Sequence, residues 1–305
     1  MEDRPPHIAR HRSTSSATRT LAALGGLILG MGALAAIAFA VVGRDEAAAP
    51  AATAPATTGP PPKETFKIIF PEGFTIDQMA TRIKEVNKIA ADERGLETVL
   101  EPRRYVKLTE SLQPPKEFPY REKVSSLEGF LFPATYELFE DATTNELIDK
   151  QLEAFVRAWN QLDLDFAKSK NLNAYDVLII ASMVEKEVQV PKERPLVAAV
   201  IYNRLKAGMP LGIDATIRYG LDIPPTEPIH VSELESDSPY NTRCPTCTGL
   251  TPTPIANPGL ASLQAAAHPA KVDYLYFVRK ADCKSHFFTA SEAEFNAYPR
   301  DGLNC

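Results

Sequence analysis

The chain has 305 residues, 44% hydrophobic and 24% charged, which is enough for globular domains with real cores. Its net charge of −6 at pH 7 argues against nucleic acid as a partner, which requires a basic footprint. It has no dinucleotide or phosphate-loop glycine pattern and no His-Glu-x-x-His, so neither a cofactor nor a metal is expected.

In chain order, residues 1–20 carry Arg4, Arg10, Arg12 and Arg19. Leu21 to Val42 then run without a charge, long enough to cross a hydrocarbon core of about 30 Å. Positive residues favour the cytoplasmic side, so the expected topology is a single-pass anchor in the cell membrane, N-terminus inside and the remainder outside. A cleaved signal peptide is the rival reading. Its apolar region is normally about 7–15 residues, shorter than this one, although Ala38-Phe39-Ala40 would pass as a cleavage tripeptide. Residues 43–65 are rich in Ala, Pro and Thr and read as a semi-extended spacer.

"FKIIFPEGFTIDQMATRIKEVN", residues 66–87, reads as a strand, a turn and a helix with Thr75 as N-cap. A strand and short amphipathic helix in a small unit resemble a LysM-type glycan-binding module, expected over 66–115. The Pro-rich "SLQPPKEFP" at 111–119 marks the boundary. Residues 144–168 read as one amphipathic helix. The next helix opens with Asn173 as N-cap and Asp176 three residues on, a variant of the capping box. Pro191 closes it, and a further helix stops at Gly208. "YLYFVR" and "SHFFTA" read as the two strands of a hairpin. Helices and hairpins are segregated, so the expected class is α+β.

"IIASMVEKEV", 179–188, is apolar on every face and then turns to Glu185-Lys186-Glu187. Glu185 shares a face with Leu178, Ala181, Ser182 and Val188, and Glu187 with Met183, Val184 and Val190. Both would be partly desolvated, which raises a carboxyl pKa towards that of a general acid. Periodicity does not choose between them. A helix end emerging as a solvated E-K-E turn fits the same pattern, with Lys186 in water.

"LEGFLFPATYEL", "IIASMVEKEVQVPKERPLVAAVIYNRL", "IDATIRYG", "SPYNT", "GLTPTPIANPGLASLQAAAHPA" and "DYLYFV…HFFT" occur in this order. Together they resemble the membrane-anchored endolytic murein transglycosylase family, over residues 66 to 298. The resemblance implies a mixed α+β catalytic domain at 116–305 around a buried catalytic helix. It implies cleavage of the MurNAc–GlcNAc β-1,4 bond of peptidoglycan without water. The sugar's own 6-hydroxyl attacks and leaves a 1,6-anhydro end, so one carboxyl serves where ordinary glycosidases use two. By the motif that acid is the first of "VEKE", Glu185. Glu128, Asp214, Tyr240, Asn241 and Thr242 are the implied substrate-binding residues. Structural roles compete for three of them: loop bonding for Glu128, helix capping for Asp214 and packing for Tyr240. Three positions depart from the family pattern: Gly212 where glutamine is common, Ala215 where proline follows the aspartate, and Ala134 where an aspartate is common. The implied partners are glycan strands, the membrane through Leu21–Val42, and the cell-wall synthases, with a role in limiting strand length. A non-catalytic glycan-binding scaffold and a water-using muramidase are the alternative readings.

His268 reads as a packing or capping residue, and His286, before a β-rich run, as a candidate for lining a cleft. The four cysteines lie on the expected external side, where disulfides form. Three pairings are possible, and Cys244–Cys247 with Cys283–Cys305 is the expected one. "CPTC" has redox-motif spacing, but no helix evidently starts there to stabilise a thiolate.

Overall fold

The computed structural model describes residues 63–119 and 121–299. The described residues form one compact unit. The expected anchor at 21–42, the N-terminal tail and nearly all of the spacer lie outside the described residues. Among the described residues no helix is long and apolar enough to cross a membrane.

The unit opens with β1 (Thr65–Ile69), α1 (Ile76–Arg94) and α2 (Pro102–Ser111), followed by β2 (Thr135–Phe139). Thr75 caps α1 through a full capping box with Gln78, and Gly95, at φ 63°, ends it. β1 and β2 pair antiparallel, from Thr65 opposite Phe139 to Ile69 opposite Thr135. The β1–α1–α2–β2 arrangement therefore closes beyond residue 115, with a strand from the far side of the expected boundary. The Pro-rich segment packs into the core. Phe118 is 2% exposed and packs edge-on against Phe130, at 4.8 Å, and Trp159, at 5.1 Å. One continuous apolar core runs from Phe66 to Ala267. Tyr105 on α2 ties the helices together inside it, donating to Gln151 Oε1 at 2.8 Å.

The predicted helix at 144–168 is two helices, α3 (Thr144–Trp159) and α4 (Asp165–Ser169). The break has a local cause: the Asp163 carboxylate accepts from the Asp165 backbone N–H and turns the chain. Next come α5 (Ala174–Glu187), a 3-10 turn at Pro191–Glu193, and α6 (Arg194–Ala207), ended by Gly208 at φ 64°. Then follow α7 (Asp214–Gly220), α8 (Val231–Leu234) and α9 (Leu260–Ala267). β3 (Tyr276–Arg279) and β4 (His286–Thr289) form the expected hairpin, and α10 (Glu292–Ala297) follows. The class is mixed α+β. α5 is its axis: Val177 to Val184 are all buried, and α5 packs against α9, α6 and α7. Burying a helix on all faces fixes its direction, and so fixes where its last turn emerges.

Candidate active site

The last turn of α5 sends its two glutamates to different places. Glu185 is 6% exposed at its side chain. Its Oε2 accepts from the Gly259 N–H at 3.0 Å, just ahead of α9, and its Oε1 lies 3.5 Å from the Arg194 guanidinium. Arg194 also faces Glu72 Oε2 at 3.8 Å and donates to Ser262 Oγ at 3.1 Å. Burial, and then the nearby Glu185 charge, raise the Glu72 carboxyl above its ordinary value, while Arg194 opposes the shift. Space here is tight. A Cβ on Gly259 would stand 1.8 Å from Glu72 Oε1, so any larger residue there would displace the Glu72 carboxyl. Lys186 is not simply solvated: burial lowers its ammonium from the ordinary value, and it donates to the Gly73 carbonyl at 3.2 Å.

Glu187 instead borders a cleft of about 1080 Å³, which Glu185 does not line. The start of α1, the end of α5, α7 and the β3–β4 hairpin form its walls. Burial, and then the Asp214 charge, push the Glu187 carboxyl up to about 7. Arg279, Arg243 and the Ala215 backbone N–H act in the opposite direction. A carboxyl that stays protonated near neutral pH at the edge of a cleft can protonate a leaving oxygen.

The other expected site residues divide. Asp214, at the start of α7, borders the cleft and pairs with Arg243. Glu128 does not border it: 3% exposed, its Oε2 accepts from the Ile76 N–H at 3.2 Å and the Tyr219 hydroxyl at 3.3 Å. Burial pushes its carboxyl up to about 7 against these hydrogen bonds. Asn241 and Thr242 are buried, and their polar atoms are taken by the chain itself. Asn241 Nδ2 donates to the carbonyls of Leu234 and Ser236, and Thr242 Oγ1 accepts from the Ile213 N–H. Neither borders the cleft; both shape the loop that presents Arg243. Tyr240 packs edge-on against Tyr219, at 5.2 Å, and its hydroxyl lies 2.8 Å from Thr253 Oγ1. Gly212 has φ 66° and a Cβ there would meet Arg204 Nη1 at 2.9 Å, which accounts for glycine at that position. His268 occupies the C-cap of α9, exposed.

Comparison with known proteins gives this arrangement a family. The family model described as YceG-like matches residues 46–301. The chain belongs to the YceG-like family. An endolytic murein transglycosylase of Bacillus subtilis strain 168 is 34% identical over 225 residues, covering 71% of this chain and 60% of that protein. One from Streptococcus pneumoniae R6 is 35% identical over 229 residues, covering 69% of this chain and 40% of that protein. The chain thus spans three fifths or less of these relatives' own length. A crystal structure of a YceG-like protein from Listeria monocytogenes superposes with a TM-score of 0.63 at 28% identity, covering 77% of this chain and 75% of that one.

Two features of this YceG-like chain escaped the sequence reading. Asn257, in a loop and 0% exposed, accepts at Oδ1 from the N–H groups of Gly129 and Leu131. Its Nδ2 donates to the Phe74 carbonyl and to Glu128 Oε1. It locks the α1 turn, the Glu128 loop and the approach to α9 together. Buried asparagine in a Pro-Ile-Ala-Asn-Pro-Gly run was the available signal. The second is the buried pairing of Glu193 with His286. Cys244 and Cys247 form the expected local disulfide, one residue after Arg243. Cys283 is also disulfide-bonded, and the expected Cys283–Cys305 pairing lies outside the described residues. Among the described residues no group of three or more His, Cys, Asp or Glu is placed to hold a metal.

Proposed function

We propose that this YceG-like protein is a lytic transglycosylase that cleaves the MurNAc–GlcNAc β-1,4 bond of peptidoglycan and leaves 1,6-anhydro-MurNAc ends. The observation that carries the reading is Glu187, held at the rim of the cleft with its carboxyl pushed up to about 7. The acid in this reading is Glu187 rather than Glu185, whose carboxylate is engaged by Gly259 and Arg194. Glu187 protonates the glycosidic oxygen as the sugar's 6-hydroxyl closes on the anomeric carbon. An internal nucleophile enjoys high effective molarity, so no ordered water is needed. Arg243 and Arg279, both on the cleft, suit the carboxylates of the stem peptides.

Leu21–Val42 anchors the chain in the cell membrane with the N-terminus cytoplasmic, and residues 43–65 hold the enzyme off the surface. The support is the uncharged apolar run behind four arginines. The β1–α1–α2–β2 unit serves as the LysM-like glycan-binding module, at 65–139 rather than 66–115. Held beside the cell-wall synthases, the enzyme cuts nascent strands and so limits their length.

One observation favours a second reading. Asp214 borders the same cleft and acts on the Glu187 charge, as the second carboxylate of a water-using muramidase would. Digestion of purified peptidoglycan by the full-length chain in detergent, read by mass spectrometry, separates the two. Anhydro ends that vanish in Glu187→Gln support the transglycosylase. Reducing ends in their place refute it and make Asp214 the partner carboxylate.

A further inference from the structure

In a one-acid scheme the same glutamate gives a proton to the leaving oxygen and later receives one from the attacking hydroxyl. The wall of the cleft holds a second proton-transfer pair that this scheme leaves unused. Glu193 and His286 are each 4% exposed, which for two ionisable side chains calls for a reason. Their contact is extensive. The backbone N–H of His286 donates to both Glu193 oxygens, at 3.2 and 3.1 Å, and its Nδ1 lies 2.8 Å from Glu193 Oε2. Phe277 and Phe288 flank the ring edge-on, at 5.4 and 6.0 Å, and hold its plane.

This geometry sets the tautomer. A carboxylate accepts, so Nδ1 carries the hydrogen and the neutral ring keeps its lone pair on Nε2. Nε2 has no hydrogen-bond partner among the described residues. His286 nevertheless borders the cleft that Glu187 borders, and Nε2 is the polar atom of its ring left to serve it. The hairpin register adds a link. Arg279 stands opposite His286 across β3–β4, on the same face, and its charge acts on Glu187. The charged groups around the ring are thus Glu193, from the turn before α6, and Arg279, from the facing strand.

We propose that His286, oriented by Glu193, is the catalytic base that takes the proton from the attacking sugar hydroxyl. This inference rests on the transglycosylase reading. The hydroxyl proton passes to Nε2 as the bond from its oxygen to the anomeric carbon forms. The bond from that carbon to the leaving oxygen breaks, its electron pair goes to that oxygen, and the Glu187 proton follows. The step ends with an imidazolium facing Glu193 and a carboxylate at Glu187. Water in the cleft returns the proton from the ring to Glu187 after product leaves. Glu193 is a positioning residue: it fixes the ring and bears against the positive charge that develops on it.

The test uses the full-length chain in detergent with purified glycan strands. His286→Asn keeps a side-chain donor for Glu193 but has no Nε2. It is expected to lower kcat by about 10²–10⁴-fold with KM within threefold and glycan sedimentation unchanged. His286→Gly opens a ring-sized space, and added imidazole is expected to restore part of its rate, a response that a purely structural residue would not show. Glu193→Gln is expected to lower kcat with KM held. Anhydro-product rates within threefold of wild type for His286→Asn overturn the inference, and so does a loss in both His286 variants that imidazole does not relieve. If His286→Gly does not fold, the Asn variant alone decides. Anhydro ends from the wild type are required throughout: their absence would sink the transglycosylase reading itself, whatever the histidine variants do.

Discussion

Glu185 and Glu187, two positions apart on α5, carry their carboxyl groups to opposite ends of the problem: one braces the Gly259 N–H and Arg194, the other edges the cleft beside Asp214. Conservative replacement separates the roles. Glu187→Gln removes the acid and should lower kcat by about 10²–10⁴-fold with little change in thermal stability. Glu185→Gln keeps the volume but weakens the contact with Arg194, which is 12% exposed at its side chain. It should lower unfolding free energy by about 1–3 kcal/mol and kcat by less than tenfold. Urea unfolding and initial rates on peptidoglycan check both, and the reverse pattern would return the acid to Glu185.

The pH profile carries the same assignment. An acid with its carboxyl near 7 works below that pH and falls off above it, so the basic limb of kcat is expected near neutrality. Asp214 raises the Glu187 carboxyl, so Asp214→Asn should move that limb to lower pH. Arg279 lowers it, so Arg279→Gln should move the limb to higher pH. Rates measured from pH 5 to 9 decide, and shifts of the wrong sign would disconnect these charges from the working acid.

What was legible in the sequence was local. The Thr75 N-cap, the Asn173 capping box, the glycine stop at 208 and the β3–β4 hairpin all follow from short-range chemistry. The β1–β2 pairing spans some seventy residues and has no such local signal. The packing of the Pro-rich segment is hidden for a related reason: what pins it is Phe118 in an aromatic cluster assembled from distant segments. The proposed acid, Glu187, stands two positions from the one the resemblance implies. Each glutamate has apolar neighbours at helical spacing, and only the Gly259 N–H, just ahead of α9, and Arg194 show which one is already engaged. For Asn241 and Thr242 the sequence does not separate sugar binding from loop bonding, because polar loop residues bond sugars and backbone with the same atoms.

Glu128 offers a stability test away from the chemistry. Its folded carboxyl sits near 7 against an ordinary 4.5, so the folded state holds this proton more tightly than the unfolded chain. The contribution is full below about pH 4.5 and is lost as pH rises through 7, on the order of 3 kcal/mol for this group. Glutamine at 128 cannot titrate and turns an amide donor towards groups that already donate, the Ile76 N–H or Asn257 Nδ2. Glu128→Gln should therefore be less stable than wild type at pH 5, by about 1–3 kcal/mol, and the gap should narrow by pH 8. A gap that widens with pH would reverse the assignment.

The Cys244–Cys247 disulfide closes a very short loop, so chain entropy allows it only about 2 kcal/mol of stabilisation. Its greater effect should be local. Arg243 stands immediately before it, pairs with Asp214 and borders the cleft, so slack in this turn reaches the carboxylate beside Glu187. Cys244→Ser with Cys247→Ser should cost no more than about 2 kcal/mol in unfolding free energy. It should raise KM for glycan strands several-fold and leave kcat within threefold, because Glu187 rides on the buried α5 and not on this loop. Arg243→Gln should reproduce the KM effect with the disulfide intact. If the double serine variant instead lost kcat at unchanged KM, the loop would belong to the chemical step and the separation between binding loop and catalytic helix would fall.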